Sequence, residues 1–178
     1  MNGAVFKFGG SLADTAGDVL DALENAGIPA LIVPGGGVFA DMIRKDNPDD
    51  DTAHWRAIEA MNRYGVFLSS FGFPITEEVR LPDEGISILL PKRVMKTEDP
   101  LPHSWDVTSD SIALWIAEKI HAPLVLLKSR DGEFDDAEYI DSFFSELKKS
   151  TGVFVTAVNA RDNEGLQAFL RDFQAAHL

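Results

Sequence analysis

Short apolar runs alternate with amphipathic segments along the whole chain. Ala4 to Phe8 reads as a buried strand, and Asp14 to Ala26 as a helix that sets Val19, Leu20 and Leu23 on one face and stops at Gly27. Ala30 to Val33 is a second strand and Val38 to Lys45 a second helix, ended by the acidic turn Asn47 to Asp51. Asp51 or Thr52 then caps a long helix through Ser69, with Trp55, Met61 and Tyr64 spaced along one core-facing side. After the breaker Pro74, Ile75 to Leu81 and Ile86 to Leu90 read as strands around Pro82-Asp83-Glu84-Gly85. Lys92 to Trp105 reads as an irregular loop, and loops of that length in a compact domain are usually functional. A helix from Ser109 to Ile120, a strand from Leu124 to Leu127, a helix from Tyr139 to Lys149, a strand from Val153 to Val158 and a helix from Asn163 to Ala175 complete the pattern. Repeated strand-helix-strand units imply right-handed crossovers. The expected fold is therefore α/β, a three-layer αβα sandwich with a mostly parallel sheet, in one domain spanning residues 1–178.

One position breaks the first strand. Lys7 stands inside Val5-Phe6-Lys7-Phe8 and is followed at once by Gly9-Gly10-Ser11. Strands of a parallel sheet are covered on both faces, so a charge there is costly unless an anion meets it. A second glycine cluster, Gly35-Gly36-Gly37, follows the strand ending at Val33. Two glycine turns at strand ends offer two sets of free backbone N–H groups, which with a lysine ammonium make a phosphate site. Either cluster alone would read as a tight turn, since glycine supplies positive φ at little cost. The pair, with Lys7 before one of them, favours phosphate.

Two further clusters carry charge. Asp106 and Asp110 lie in Trp105-Asp106-Val107-Thr108-Ser109-Asp110-Ser111, where Thr108 or Ser109 can cap the next helix and both carboxylates sit at its positive end. Lys128 follows the strand Leu124 to Leu127 and precedes the turn Arg130-Asp131-Gly132. Two lysines at strand ends, two glycine turns and one or two carboxylates can hold a nucleotide triphosphate tail together with an acceptor.

Composition narrows the partners. The 178 residues carry a formal net charge of −13, which argues against a nucleic-acid backbone or an anionic membrane as partner. Any polyanion must bind in a local basic pocket. With no cysteine there is neither a disulfide nor a thiolate metal site. No apolar run reaches the roughly 18 residues of a membrane span and no signal peptide is visible, so the expected location is the cytoplasm. His54, His103 and His121 lack zinc-ligand spacing, so no protein metal site is expected.

Lys7-Phe8-Gly9-Gly10-Ser11, Pro34-Gly35-Gly36-Gly37, and the Asp106 to Asp110 segment with Leu126-Leu127-Lys128-Ser129-Arg130-Asp131-Gly132 resemble the amino acid kinase superfamily. Its fold is carbamate kinase-like. The stretches His54-Trp55-Arg56-Ala57-Ile58-Glu59-Ala60-Met61, Leu101 to Asp110 and Ile140-Asp141-Ser142-Phe143-Phe144 are similar to its short kinases of methanofuran biosynthesis, which convert (5-aminomethylfuran-3-yl)methyl phosphate to its diphosphate. The resemblance implies an ATP-dependent kinase acting on a small phosphate monoester, with Mg2+ arriving on the nucleotide, and a homo-oligomer. It implies catalytic roles for Lys7 and Asp110, the latter ordering the lysines. Gly9, Gly10 and Ser11 would cradle nucleotide phosphates, with Asp131 and Gly132 as further nucleotide contacts. Gly35, Gly36, Gly37, His54, His103, Ser104, Trp105 and Asp106 would form the acceptor side. The nucleotide half is shorter than is usual in the superfamily, and its late glycine-rich segment with a second catalytic lysine is not evident after Gly132, which leaves Lys128 as the substitute. The same fold could instead serve a nucleotide-binding storage or regulatory protein.

Overall fold

Strand β1 (Ala4–Phe8) enters a 3-10 turn (Gly10–Thr15) and α1 (Ala16–Ala26), followed by β2 (Ala30–Pro34), α2 (Gly37–Asp46) and α3 (Asp50–Ser69). β3 (Ile75–Thr76), β4 (Ile86–Leu89), α4 (Lys92–Glu98), α5 (Ser109–Lys119), β5 (Leu124–Lys128), α6 (Ser142–Ser150), β6 (Val155–Asn159) and α7 (Asn163–His177) follow. This computed structural model describes residues 3–136 and 138–177. The six strands form one sheet in the order β3-β4-β2-β1-β5-β6, and every pairing is parallel. The expected αβα sandwich is therefore present, with a sheet that is wholly parallel.

Alternation along the strands divides the core. Ala4, Phe6 and Phe8 of β1 pack with α1 and α7 through Leu20, Leu23, Leu166 and Phe173. Val5, Leu124 and Leu126 face the other way, onto Ile112, Ala113 and Ile116 of α5 and Phe144 of α6. Side chains alternate along a strand, so Lys7 shares the α5 face with Val5, and Lys128 shares it with Leu126. Lys7 pairs with Leu126 in the ladder, which puts Lys128 two residues further along the neighbouring strand on that same face.

Several boundaries differ from the sequence reading. The long helix is capped by Asp49, whose carboxylate accepts from Thr52 N at 3.0 Å, instead of by Asp51 or Thr52. Asp50 and Asp51 then lie in its first turn, where the helix dipole favours acids. The segment expected as loop from Lys92 to Trp105 begins as α4, because Val94 and Met95 find buried seats and Lys92 pairs with Glu59 of α3. β3 stops at Thr76 rather than Leu81, since Glu77, Glu78 and Arg80 occupy an exposed sheet edge where charges discourage further pairing. The helix expected from Tyr139 starts only at Ser142, after its cap Asp141. An aspartate directly before an apolar run is an N-cap signal, and the sequence contains it. Among the described residues, no helix is long and apolar enough to cross a membrane.

Candidate active site

The carboxyl ends of β1, β2 and β5 open into a cleft of about 700 Å3 at the amino end of α5. Lys7 lies at its floor, 7% exposed, with its ammonium 2.8 Å from Asp110 Oδ1. That contact is an ion pair out of line for a hydrogen bond. Lys128 Nζ donates to Asp110 Oδ2 at 2.7 Å and to the Tyr139 carbonyl at 2.6 Å. One carboxylate, 4% exposed, thus joins two lysines contributed by adjacent strands. Burial by itself pushes the Asp110 carboxyl upward, but Lys7 and Lys128 outweigh it and hold the group below its ordinary value. Burial, with the nearby Lys7 charge, lowers the Lys128 ammonium against the pull of Asp110. At the floor two ammonium groups thus share one carboxylate, which leaves them a surplus of positive charge to meet an incoming phosphate.

Backbone packing sets the two glycine turns against each other. A methyl at Gly10 would fall inside contact distance of the Gly37 Cα and amide nitrogen, and Gly37 itself has φ +56°. Gly35 N donates to the Phe8 carbonyl at 2.8 Å, and a methyl there would come within 3.0 Å of Gly10 N. No side chain larger than hydrogen fits this junction. Gly10→Ala is expected to force the turns apart and lower the melting temperature by several degrees. Overpacking costs about 1–3 kcal/mol, and each kcal/mol moves Tm by about 2–4 °C at this chain length. Differential scanning calorimetry measures it, and an unchanged Tm would mean the turns are free to part.

A second carboxylate, absent from the sequence-based site, holds the amino ends of α5 and α6 together. Asp141 accepts from Thr108 N and Oγ1, Ser111 N and Oγ, and Phe144 N at 2.5–3.2 Å. Asp110 follows Thr108 by two residues, so this network fixes the turn that aims it. Arg161 anchors the 3-10 turn similarly, with paired bonds to Asp14 at 2.7 and 3.1 Å and one to the Ser11 carbonyl at 2.8 Å.

Of the residues singled out by sequence, Lys7, Gly10, Ser11, Gly35, Gly36, Gly37, Trp105, Asp106, Asp110 and Lys128 all line the cleft. Gly9 lies beneath it, its carbonyl accepting from Tyr64 Oη at 3.3 Å. Asp131 and Gly132 line a separate recess beside Asn159, which meets the cleft at Tyr139. Gly132 is pressed under the Tyr139 ring, so its place answers to packing as well as to approach. His54 and Ser104 line a smaller apolar recess of about 90 Å3 with Ile58, Met61 and Ile112. That recess shares Gly36, Trp105 and Thr108 with the cleft. Asp106 accepts from Ser142 Oγ at 3.1 Å, and its own amide donates to Ser104 Oγ at 3.1 Å.

His103 lies outside both hollows. Its ring nitrogens face Asp51 Oδ1 at 2.5 Å and Asp99 Oδ1 at 2.8 Å, and these carboxylates, Asp99 foremost, raise its pKa. It stacks on His54 with ring centroids 4.1 Å apart, whereas burial and then the His103 charge lower the His54 pKa. Sequence spacing set these two histidines apart, and the fold brings them into contact.

Known proteins narrow the family. No protein-family model matches the chain. It is 31% identical over 179 aligned positions to the (5-aminomethylfuran-3-yl)methyl phosphate kinase of Methanocaldococcus jannaschii, an alignment that covers 91% of this chain and 76% of that enzyme. This chain belongs to that kinase family. The uridylate kinase of Archaeoglobus fulgidus, a member of the amino acid kinase superfamily, superposes with a TM-score of 0.50 at 15% identity, over 80% of this chain and 70% of its own, and so shares the fold. The resemblance seen in the glycine turns and lysines is thus met by the chain as a whole.

Proposed function

We propose that this kinase transfers the γ-phosphoryl group of ATP to the phosphate of (5-aminomethylfuran-3-yl)methyl phosphate, forming the diphosphate and ADP. The observation that carries the reading is Asp110 bridging Lys7 and Lys128 at the floor of a glycine-lined cleft, in a chain of this family. An acceptor phosphate oxygen attacks the γ-phosphorus in line while the bond to the β,γ-bridging oxygen breaks. No proton has to move when the acceptor is already an anion. Catalysis is then mainly positioning and charge stabilisation. Lys7 neutralises the phosphoryl group in transfer, Lys128 the leaving phosphate, and Asp110 keeps both ammonium groups at their stations. The amides after β1 cradle nucleotide phosphates, and those after β2 hold the acceptor phosphate. Asp110 and Asp141 have their oxygens engaged within the protein, so Mg2+ would be held chiefly by phosphates and water, with Asp106 and Glu138 as the remaining cleft carboxylates. It would supply further positive charge to the nucleotide.

The recess beside Gly36 suits the acceptor's ring, since a flat five-membered heterocycle needs little volume and its walls are apolar. Trp105 stands where cleft and recess meet. Trp105→Ala is expected to raise the acceptor KM about tenfold, the worth of roughly 1.4 kcal/mol of lost ring contact, with a smaller change in kcat. Steady-state kinetics with the synthetic acceptor, and 31P NMR of the product, test the reaction and the variant together. Nucleotide binding without acceptor-dependent ADP release would favour the storage or regulatory reading instead.

A further inference from the structure

Beside the cleft lies a polar cluster that meets the acceptor recess through His54. His54 is 95% buried by its 5% exposure, yet its Nε2 has no hydrogen-bond partner. A buried polar atom left unpaired costs about 1–3 kcal/mol, so a group of this kind calls for a ligand. Around it the fold gathers the neighbouring His103 ring and the carboxylate of Asp99, the residue that closes α4. One ligand atom from each of His54, Asp99 and His103 lies within 4.8 Å of the other two. Ligand atoms around a tetrahedral ion with bonds of about 2.1 Å stand roughly 3.4 Å apart, so the His103–Asp99 pair, at 2.8 Å, would open slightly and the His54 ring would turn out of its stack on His103 to bring a nitrogen to the ion.

We infer that His54, Asp99 and His103 form a binding site for a divalent transition ion of the zinc class, separate from the magnesium that accompanies the nucleotide. The outer contacts support it. A metal-bound histidine characteristically donates its other ring N–H to a carboxylate, and His103 Nδ1 faces Asp51 Oδ1 at 2.5 Å while Nε2 faces Asp99. The ion would take the place of the proton between Nε2 and Asp99. Two imidazoles and a carboxylate select a borderline ion over Mg2+, which prefers an all-oxygen octahedron. The site joins α3, through His54 and Asp51, to the segment running from Asp99 into Trp105 and Asp106. An ion there would brace the loop that supplies those two cleft residues. This proposal is independent of the acceptor's identity.

Isothermal titration of chelator-treated protein with ZnCl2, followed by thermal denaturation with and without the ion, tests it. One saturable equivalent and a raised Tm are expected, with no comparable effect from MgCl2. Asp99→Asn and His103→Asn should abolish both, and Asp51→Asn should weaken affinity about 10- to 100-fold. Asp99 has φ +43°, a conformation asparagine accepts, so that variant is expected to fold normally. His121→Asn, also at positive φ and outside the ligand set, should bind as the parent does. Absence of saturable binding, or affinity unchanged in both Asp99→Asn and His103→Asn, would overturn the site and assign any binding to the acidic surface.

Discussion

Asp110→Asn is expected to lower kcat by at least about 10²- to 10³-fold, the loss typical when one preorganised electrostatic contact to a developing charge is removed. Here a single carboxylate sets two such contacts, since each oxygen meets one lysine at 2.7–2.8 Å. Asparagine keeps the shape but turns an N–H donor toward an ammonium and leaves two buried cations facing each other. Breaking a buried pair in this way costs about 3–5 kcal/mol, far beyond the roughly 0.3–1 kcal/mol of an exposed acid at a helix start. Bound nucleotide should restore part of that loss, because its phosphates replace the missing negative charge. The native carboxyl lies below its ordinary value of 3.8, so the stability it contributes is present above that pH and is lost as pH falls through the lowered native value. The variant should lack this acid limb. Turnover at saturating substrates, with melting curves from pH 2 to 8, decides the matter; a kcat within tenfold of the parent would remove Asp110 from the mechanism.

Lys7→Met is the companion case, expected to lower kcat by a similar 10²- to 10³-fold with a smaller loss of stability. Methionine fills the volume of the lysine stem within an apolar strand, and Asp110 retains Lys128 as its partner. What remains is one unpaired carboxylate oxygen, worth about 1–3 kcal/mol. The contrast between the two variants separates chemistry from folding, since both lose turnover and Asp110→Asn loses more stability. Residues acting as one unit are non-additive, so combining the two substitutions should slow turnover little beyond the poorer single variant. Additive losses in that double-mutant cycle, measured on kcat, would mean that Lys7 and Asp110 act separately.

Much of the cleft's lining was legible because its signals are local. A lysine inside an apolar strand, glycines at two strand ends and an acid in a helix's first turn each declare themselves within a few residues. Nothing local marks Asp141 as joining two helices, because a capping aspartate looks the same whether it serves its own helix or two. Its bonds to Thr108 and Ser111 exist only because α5 and α6 start side by side. The segment after Pro91 reads as loop in sequence because its prolines and charges outweigh the signal of a seven-residue helix that depends on α3 for its buried seats.

By itself, the sequence determined the alternation of strands and helices, the mostly parallel sheet that follows from it, and that Lys7 shares one side of its strand with Val5, because periods of 2 and 3.6 residues are written in the order of side chains. Only the tertiary structure decided that Lys7 and Lys128 share one carboxylate, that the two glycine turns touch, and that His54 stacks on His103. Those contacts depend on the register of β1 against β5 and on how α3 and α5 cross the sheet, and register and crossing are settled by packing the whole core at once.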